Sequence, residues 1–390
     1  MFVFLKPTRE FLKGALLALT SMAVVACTGT STSTGPTIAT GAPVPIALLI
    51  PKGSSEGGEA ILAQSLENAA KLAIIDLQGV KIDLRVYSTV GDANAAGAAA
   101  IQAVNEGAKI ILGPVFAESA NAAAKAVANR NINVLAFSNN TSVAGGNLFV
   151  LGPTFDNTAD RLVSYARSNG RDQILTVHAD NVSGQVGRNA VLAAISRQRA
   201  SDAGTVAYQF SQEGVIAAAS QIKLTADQNS ANAVFLTSET SGALPLISQL
   251  LPEAGLSPAT TQFIGLTRWD IPAQTLELPG VQGGWFAMPD PTLNEQFQTR
   301  YAQTYGGLPH PIGGLAYDGI AAIGALVKSG KRDALTTGAL TQSAGFQGVN
   351  GIFRLRTDGT NERGLAIASI RDKKVVIIDP APKRFGGAGL

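Results

Sequence analysis

The sequence predicts an α/β protein built as two doubly wound lobes around a central cleft. Three observations carry this. From Pro45 onward short apolar runs alternate with longer stretches of helical period; the alternation restarts after Gly152-Pro153; and two further helices and three strand-like segments remain once a second lobe is complete.

In the first lobe, residues 45–50 read as a buried strand and 59–76 as a helix with apolar residues at helical spacing. Residues 81–87 alternate like a strand, with Ile82, Leu84 and Val86 on one face. Helix 94–106, strand 109–112, helix 119–129 and strand 133–137 follow. Strands separated by helices of this length argue for right-handed βαβ units and a parallel sheet. The second lobe reads as strand 173–178, helix 187–197, strand 205–210, helix 214–226, strand 233–237, helix 241–254 and strand 262–265. Helices at 295–305 and 314–328 and strand-like segments at 351–355, 365–370 and 375–378 remain. This surplus places residues 44–153 with about 281–345 in the first lobe, and 154–280 with about 346–380 in the second. The ligand position in such a fold is the cleft, at the carboxyl ends of the strands.

The N-terminus carries an address rather than a fold. Lys6, Arg9 and Lys13 precede an apolar run, 15–26, too short for a membrane span but suited to a signal-peptide core. It ends in Val24-Val25-Ala26-Cys27, similar to a bacterial lipobox, and Cys27 is the only cysteine of the 390 residues. Residues 1–26 are thus expected to be a lipoprotein signal peptide, Cys27 the lipid attachment site, and the Thr/Ser/Gly/Pro-rich 27–42 a flexible tether. The expected place is the periplasm. Thr28 after the cysteine, by resemblance to better-known lipoproteins, favours the outer membrane.

Loss of the leader removes Lys6, Arg9, Lys13 and Glu10 from 30 basic and 28 acidic residues, leaving 27 of each. That balance gives no reason to expect a nucleic-acid partner or a polybasic membrane patch, so contact with the membrane is expected through the lipid alone. With its one cysteine in the anchor, the chain has no thiolate chemistry and no internal disulfide. His178 and His310 lack metal-ligand spacing to each other, and no Walker A loop, HExxH or GxSxG is present. Ser220-Gln221-Ile222-Lys223 matches the Ser-x-x-Lys of penicillin-recognising enzymes. However, the Ser-x-Asn match at Ser138-Asn139-Asn140 precedes it, in the wrong order, and a match this short arises by chance. No catalytic residue, metal site or cofactor is expected.

Residues 44–379 resemble the type I periplasmic binding proteins, the group of the leucine/isoleucine/valine-binding proteins. The shared signals are Ile46-Ala47-Leu48-Leu49-Ile50-Pro51, Glu106-Gly107-Ala108-Lys109-Ile110-Ile111-Leu112-Gly113-Pro114 and Ala316-Tyr317-Asp318-Gly319. Within that group the chain is most similar to the lipoproteins called penicillin-binding protein activators. The phrases are Phe263-Ile264-Gly265 with Arg268-Trp269-Asp270, Gln282-Gly283-Gly284-Trp285-Phe286-Ala287 and Gly345-Phe346-Gln347-Gly348-Val349-Asn350-Gly351.

From the residues themselves, Glu118-Ser119 opens a helix whose free N–H groups favour an anion, and Ser138-Asn139-Asn140-Thr141 gathers hydroxyls and amides at the same sheet edge. The resemblance implies that Ser119, Asn139 and Thr141 hold a ligand carboxylate, with Ser138 in the same cluster. It implies an acid in the second lobe for an ammonium group, where Thr267 stands near the expected position and Glu239 and Asp270 lie close by. Two functions follow as expectations: binding a small polar ligand, such as an amino acid, for an ABC permease, or activating a penicillin-binding protein through the same lobes.

Overall fold

The computed structural model describes residues 35–386. The expected signal peptide, the expected lipid-attachment residue Cys27 and the first part of the expected tether lie outside the described residues.

The first sheet contains β1 (Val44–Ile50), β2 (Ile82–Ser88), β3 (Ile110–Leu112), β4 (Val134–Ala136) and β5 (Leu148–Val150), with α1 (Glu59–Asp76), α2 (Ala93–Asn105) and α3 (Ala117–Val127) between them. All five strands are parallel, in the order β2-β1-β3-β4-β5. Helices cover both faces, so the central strand is buried on both sides: Ile46 through Ile50 are fully buried. A continuous apolar run is the mark of such a strand.

The second sheet is mixed. After α4 (Phe155–Ser168) come β6 (Gln173–Ala179), α5 (Val182–Gln198), β7 (Ser201–Tyr208), α6 (Gln212–Gln228), β8 (Ala233–Leu236), α7 (Leu244–Glu253), β9 (Gln262–Gly265) and β10 (Trp285–Met288). Its order is β15-β14-β10-β9-β8-β6-β7. The strands from β6 to β10 repeat the 2-1-3-4-5 order of the first sheet in parallel. The antiparallel hairpin of β14 (Ala366–Arg371) and β15 (Lys374–Asp379) extends the β10 edge.

Between these, α8 (Pro291–Tyr305) and α9 (Gly314–Lys328) return to the first lobe. Phe297, Tyr301, Leu315 and Ile320 share its core with Ile46 and Leu112. Asp76 on α1 accepts from Arg300 on α8 at 2.7 Å and from the Tyr317 hydroxyl on α9 at 2.5 Å, tying the three helices. The Arg300 guanidinium holds the Asp76 carboxyl below the usual carboxylate value, and burial with the Asp76 contact pushes the Tyr317 phenol up to about 12.

The structure moves the expected lobe boundaries. β10 pairs with β9, so the chain leaves the second sheet after Met288, not near 281. Residues 351–355 form β12 (Gly351–Leu355) of a small antiparallel sheet with β11 (Phe346–Gly348) and β13 (Asn361–Arg363). Its Phe353 and Leu355 lie in the first lobe's core, because three short strands can bury an apolar face only against a larger element. The return to the second sheet comes at Ala366. Part of the segment expected to be a tether is packed against the fold. Ile38, the lone large apolar residue of 27–42, is buried in the first lobe's core, and its N–H donates to the Arg332 carbonyl at 2.9 Å.

Three segments therefore join the lobes, near residues 151–154, 289–290 and 364–365. Buried polar groups bind them together. Arg363 donates from Nε and Nη2 to the Leu151 carbonyl at 2.9 and 2.6 Å, and from Nη1 to Asp318 Oδ2 on α9 at 2.9 Å. Asn361 donates to the Val150 and Gly152 carbonyls, both at 2.8 Å. Asn350 donates to Asp318 and accepts from Asn294 of α8. Among the described residues no helix is long and apolar enough to cross a membrane.

Candidate functional site

A cavity of about 250 Å³ opens where the two lobes meet the crossings. Asn139 enters it from the loop after β4. Pro153, Phe155 and Thr158 come from the first crossing and the start of α4. Leu266, Thr267, Arg268 and Ile271 follow the end of β9. Met288 and Pro289 mark the second crossing, Pro311, Ile312 and Leu315 the start of α9, and Asn350, Arg363 and Leu365 the segments at the third. The parallel strands β4, β9 and β10 all deliver their carboxyl ends here, which is where open α/β sheets bind ligands. The walls are mainly apolar, with a few convergent polar groups.

The local chemistry at Arg268 is defined. Its Nε donates to Asp270 Oδ1 at 2.8 Å and its Nη2 to Asp270 Oδ2, a bidentate pair in which the carboxylate is nearly buried. Thr267 Oγ1 reaches the Ser238 carbonyl at 3.4 Å. Arg363 is spent on Asp318 and Leu151, so its charge is compensated before any ligand arrives.

The residues expected from sequence are dispersed. Asn139 is exposed and lines the cleft cavity. Ser119 is buried in the first turn of α3, outside the residues lining the cavity, and the cap position is Phe116. Ser138 is buried and its Oγ accepts the Asn140 N–H at 3.1 Å, holding the turn. Thr141 opens a short 3-10 turn and lines a different cavity of about 620 Å³. Glu239 is exposed and lines neither cavity. Asp270 lies beside the cleft but is engaged by Arg268. Sequence reading missed Phe155, Arg268, Met288, Asn350 and Arg363. Arg268 stood in a phrase already singled out, two residues before an acid it could pair with.

The larger cavity is lined by α4, the end of α5 and the β12–β13 hairpin, with Arg363 bordering both cavities. Several of its charges are paired within it. Arg197 holds Asp160 at 2.9 Å, and Arg356 holds Glu362 at 2.9 Å. Burial alone would raise the Glu362 carboxyl, but Arg356 and Arg354 hold it below its usual value. It sits away from the strand ends, and the smaller cleft cavity is the better ligand position despite its size.

His178 is buried and His310 is half-buried. The His178 Nδ1 lies 2.8 Å from the Ala179 carbonyl. The His310 N–H donates to Ser65 Oγ at 2.8 Å, and burial pushes its imidazole down from the ordinary value. Among the described residues no group of three or more His, Cys, Asp or Glu could hold a metal ion.

The phrases that suggested the activator lipoproteins are interior contacts. A Cβ on Gly348 would stand 2.0 Å from Asp318 Oδ1, so the Gly345–Gly351 phrase makes room for the buried carboxylate of Ala316-Tyr317-Asp318-Gly319. A Cβ on Gly265 or on Gly284 would stand 2.2 Å from the Trp269 ring, which lies across β9 and the residue before β10. The glycines of these phrases thus have a packing role in the fold.

The comparisons agree with this architecture. A family model described as periplasmic binding protein matches residues 43–374. The fold is similar to that of a putative branched-chain amino acid ABC transporter protein from Rhodospirillum rubrum, with a TM-score of 0.71 at 16% identity over 86% of this chain and 100% of that one. It is also similar to an ABC transporter substrate-binding protein from Desulfitobacterium hafniense in complex with Leu (TM-score 0.63, 16% identity, 86% of this chain and 100% of that one). A solute binding protein from Rhodopseudomonas palustris in complex with 3,4-dihydroxy benzoic acid is similar too (TM-score 0.59, 17% identity, 88% and 97%). No curated protein matches the chain. With its match across most of its length, two lobes of the same strand order and a cavity at their junction, the chain belongs to the periplasmic binding protein family.

Proposed function

We propose that this protein is an extracytoplasmic solute-binding lipoprotein that closes its two lobes on a small ligand and presents it to an ABC permease. The observation that carries the reading is the cleft cavity itself. It is built from both lobes and all three crossings, so any change in the angle between the lobes changes its shape. A ligand touching Asn139 on one side and Thr267 or Arg268 on the other favours one angle, which is how binding becomes a signal a partner can read.

A thermal-shift screen of residues 35–386 against amino acids, organic acids, amides and sugars tests the binding role. A ligand at a hundred times its Kd adds about 2.7 kcal/mol of stability, a shift readily seen. Small-angle scattering with that ligand is expected to show a smaller radius of gyration. A screen in which no solute shifts the transition, with scattering unchanged, rejects the role.

The anchor is tested separately. Metabolic labelling with a fatty-acid probe is expected to mark the parent chain and leave Cys27→Ser unlabelled; equal labelling of both removes the lipoprotein assignment. Recovery of the labelled parent from the inner-membrane fraction would reject the outer-membrane placement.

A further inference from the structure

Resting on the binding-protein reading, we infer that the cleft takes a compact monocarboxylate with an apolar body and no ammonium group, and not an α-amino acid. The first ground is the composition of the walls. No Asp or Glu lines the cavity. An ammonium group placed among Phe155, Leu266, Met288, Ile312 and Leu315 would lose its hydration and meet no counter-charge, which is a large cost. The acid nearest in sequence, Asp270, has both carboxylate oxygens on Arg268 and does not line the cavity.

The second ground is the character of the polar groups that do reach the cavity. They are rich in donors: the Arg268 guanidinium, the Asn139 amide and the Thr158 hydroxyl, while the Thr267 hydroxyl donates to the Ser238 carbonyl. Arg268 uses Nε and Nη2 on Asp270, and among the described residues no hydrogen bond is made by Nη1. That nitrogen can donate to a carboxylate without releasing its internal partner. The volume, about 250 Å³, is below the roughly 300–1,000 Å³ of ordinary ligand pockets, so the body is small. Ile271, partly exposed and lining the cavity, extends the apolar wall outward.

The test is a matched series measured by titration calorimetry: leucine, 4-methylpentanoate (leucine without its ammonium) and 3-methylbutylamine (leucine without its carboxylate). The carboxylate is expected to bind at least about tenfold tighter than leucine, and the amine to give no heat, each difference amounting to one charged group. Arg268→Gln is expected to weaken the carboxylate by about ten- to a hundredfold. Asp270→Asn is expected to tighten it by up to about tenfold, because the Arg268 charge is no longer neutralised by a neighbouring carboxylate. Circular dichroism confirms that both variants fold. Tighter binding of leucine than of 4-methylpentanoate, or loss of binding in Asp270→Asn, overturns the inference and returns Asp270 to an ammonium site. If none of the three binds but the wider screen yields a ligand, a carboxylate lacking an ammonium group upholds the inference, and an amino acid, amine, amide or sugar overturns it. If no solute of any class binds, the binding-protein reading fails and takes this inference with it.

Discussion

Replacing Asp318 with alanine is expected to destabilise the protein by about 3–5 kcal/mol, the usual cost of breaking a buried ion pair from one side. The side chains of Arg363 and Asp318 are 3% and 0% exposed, so water cannot substitute for the lost partner. The carboxylate does more than neutralise Arg363. Its Oδ1 accepts the Val349 N–H at 2.8 Å and the Asn350 N–H at 3.5 Å, and its Oδ2 accepts Asn350 Nδ2 at 3.0 Å, so alanine strands a cation and three donors together. Urea titration reads the effect as a lower midpoint at unchanged slope. A change below about 1 kcal/mol would show that the pair is not what binds the crossings. Replacing both partners at once, as Asp318→Leu with Arg363→Met, is expected to recover much of the loss, since no uncompensated charge remains. The double variant also separates stability from closure, because it keeps the crossings packed while removing the polar links among Leu151, Asp318 and Asn350.

How far the sequence revealed this molecule depends on how local each feature is. Helices α1 and α9, and strands β9 and β12, were readable to their boundaries, because apolar period and flanking turn residues act over a few positions. Five of the labelled elements were not read: β5, α4, β10, β11 and β13. β5 is only three residues long, too short to show a period. β10 follows Gly283-Gly284, a turn signal that masks the strand after it. α4 is mostly polar, yet Ala159, Leu162, Val163 and Ala166 are buried at helical spacing behind a Thr154 cap, and that stripe was present in the sequence. The cleft was less legible than the fold. Its lining runs from Asn139 to Leu365, assembled by three crossings that no local pattern announces. The family resemblance supplied positions for an amino-acid site, but Ser119 and Thr141 fold away from the cavity while Arg268 turns back to occupy Asp270.

Truncating Trp269 is the second large effect. Trp269 is fully buried in the second lobe, among the β9, β10 and α7 side chains that form that core, and Trp269→Ala is expected to cost about 3–5 kcal/mol from lost burial and the cavity left behind. Collapse cannot repair the site cheaply, because the surfaces under the ring are backbone: Gly265 and Gly284 have no side chains to move into the space. The same geometry predicts the reverse defect. Gly284→Ala drives a methyl to within 2.2 Å of Trp269 Cζ3, so one or the other must shift, at about 1–3 kcal/mol. The two changes share one contact and are not additive: Trp269→Ala with Gly284→Ala is expected to lose less than the sum of the singles, since the added methyl partly fills the vacated space. A Trp269→Phe variant separates volume from polarity. The buried indole Nε1 makes no hydrogen bond among the described residues, so phenylalanine removes an unpaired donor while giving up part of the packing. Its cost is expected to fall below about 2 kcal/mol, well under that of alanine. Equal losses for phenylalanine and alanine, measured by urea titration, would show that the indole nitrogen has a partner and that the ring is held by it rather than by its fit over the two glycines.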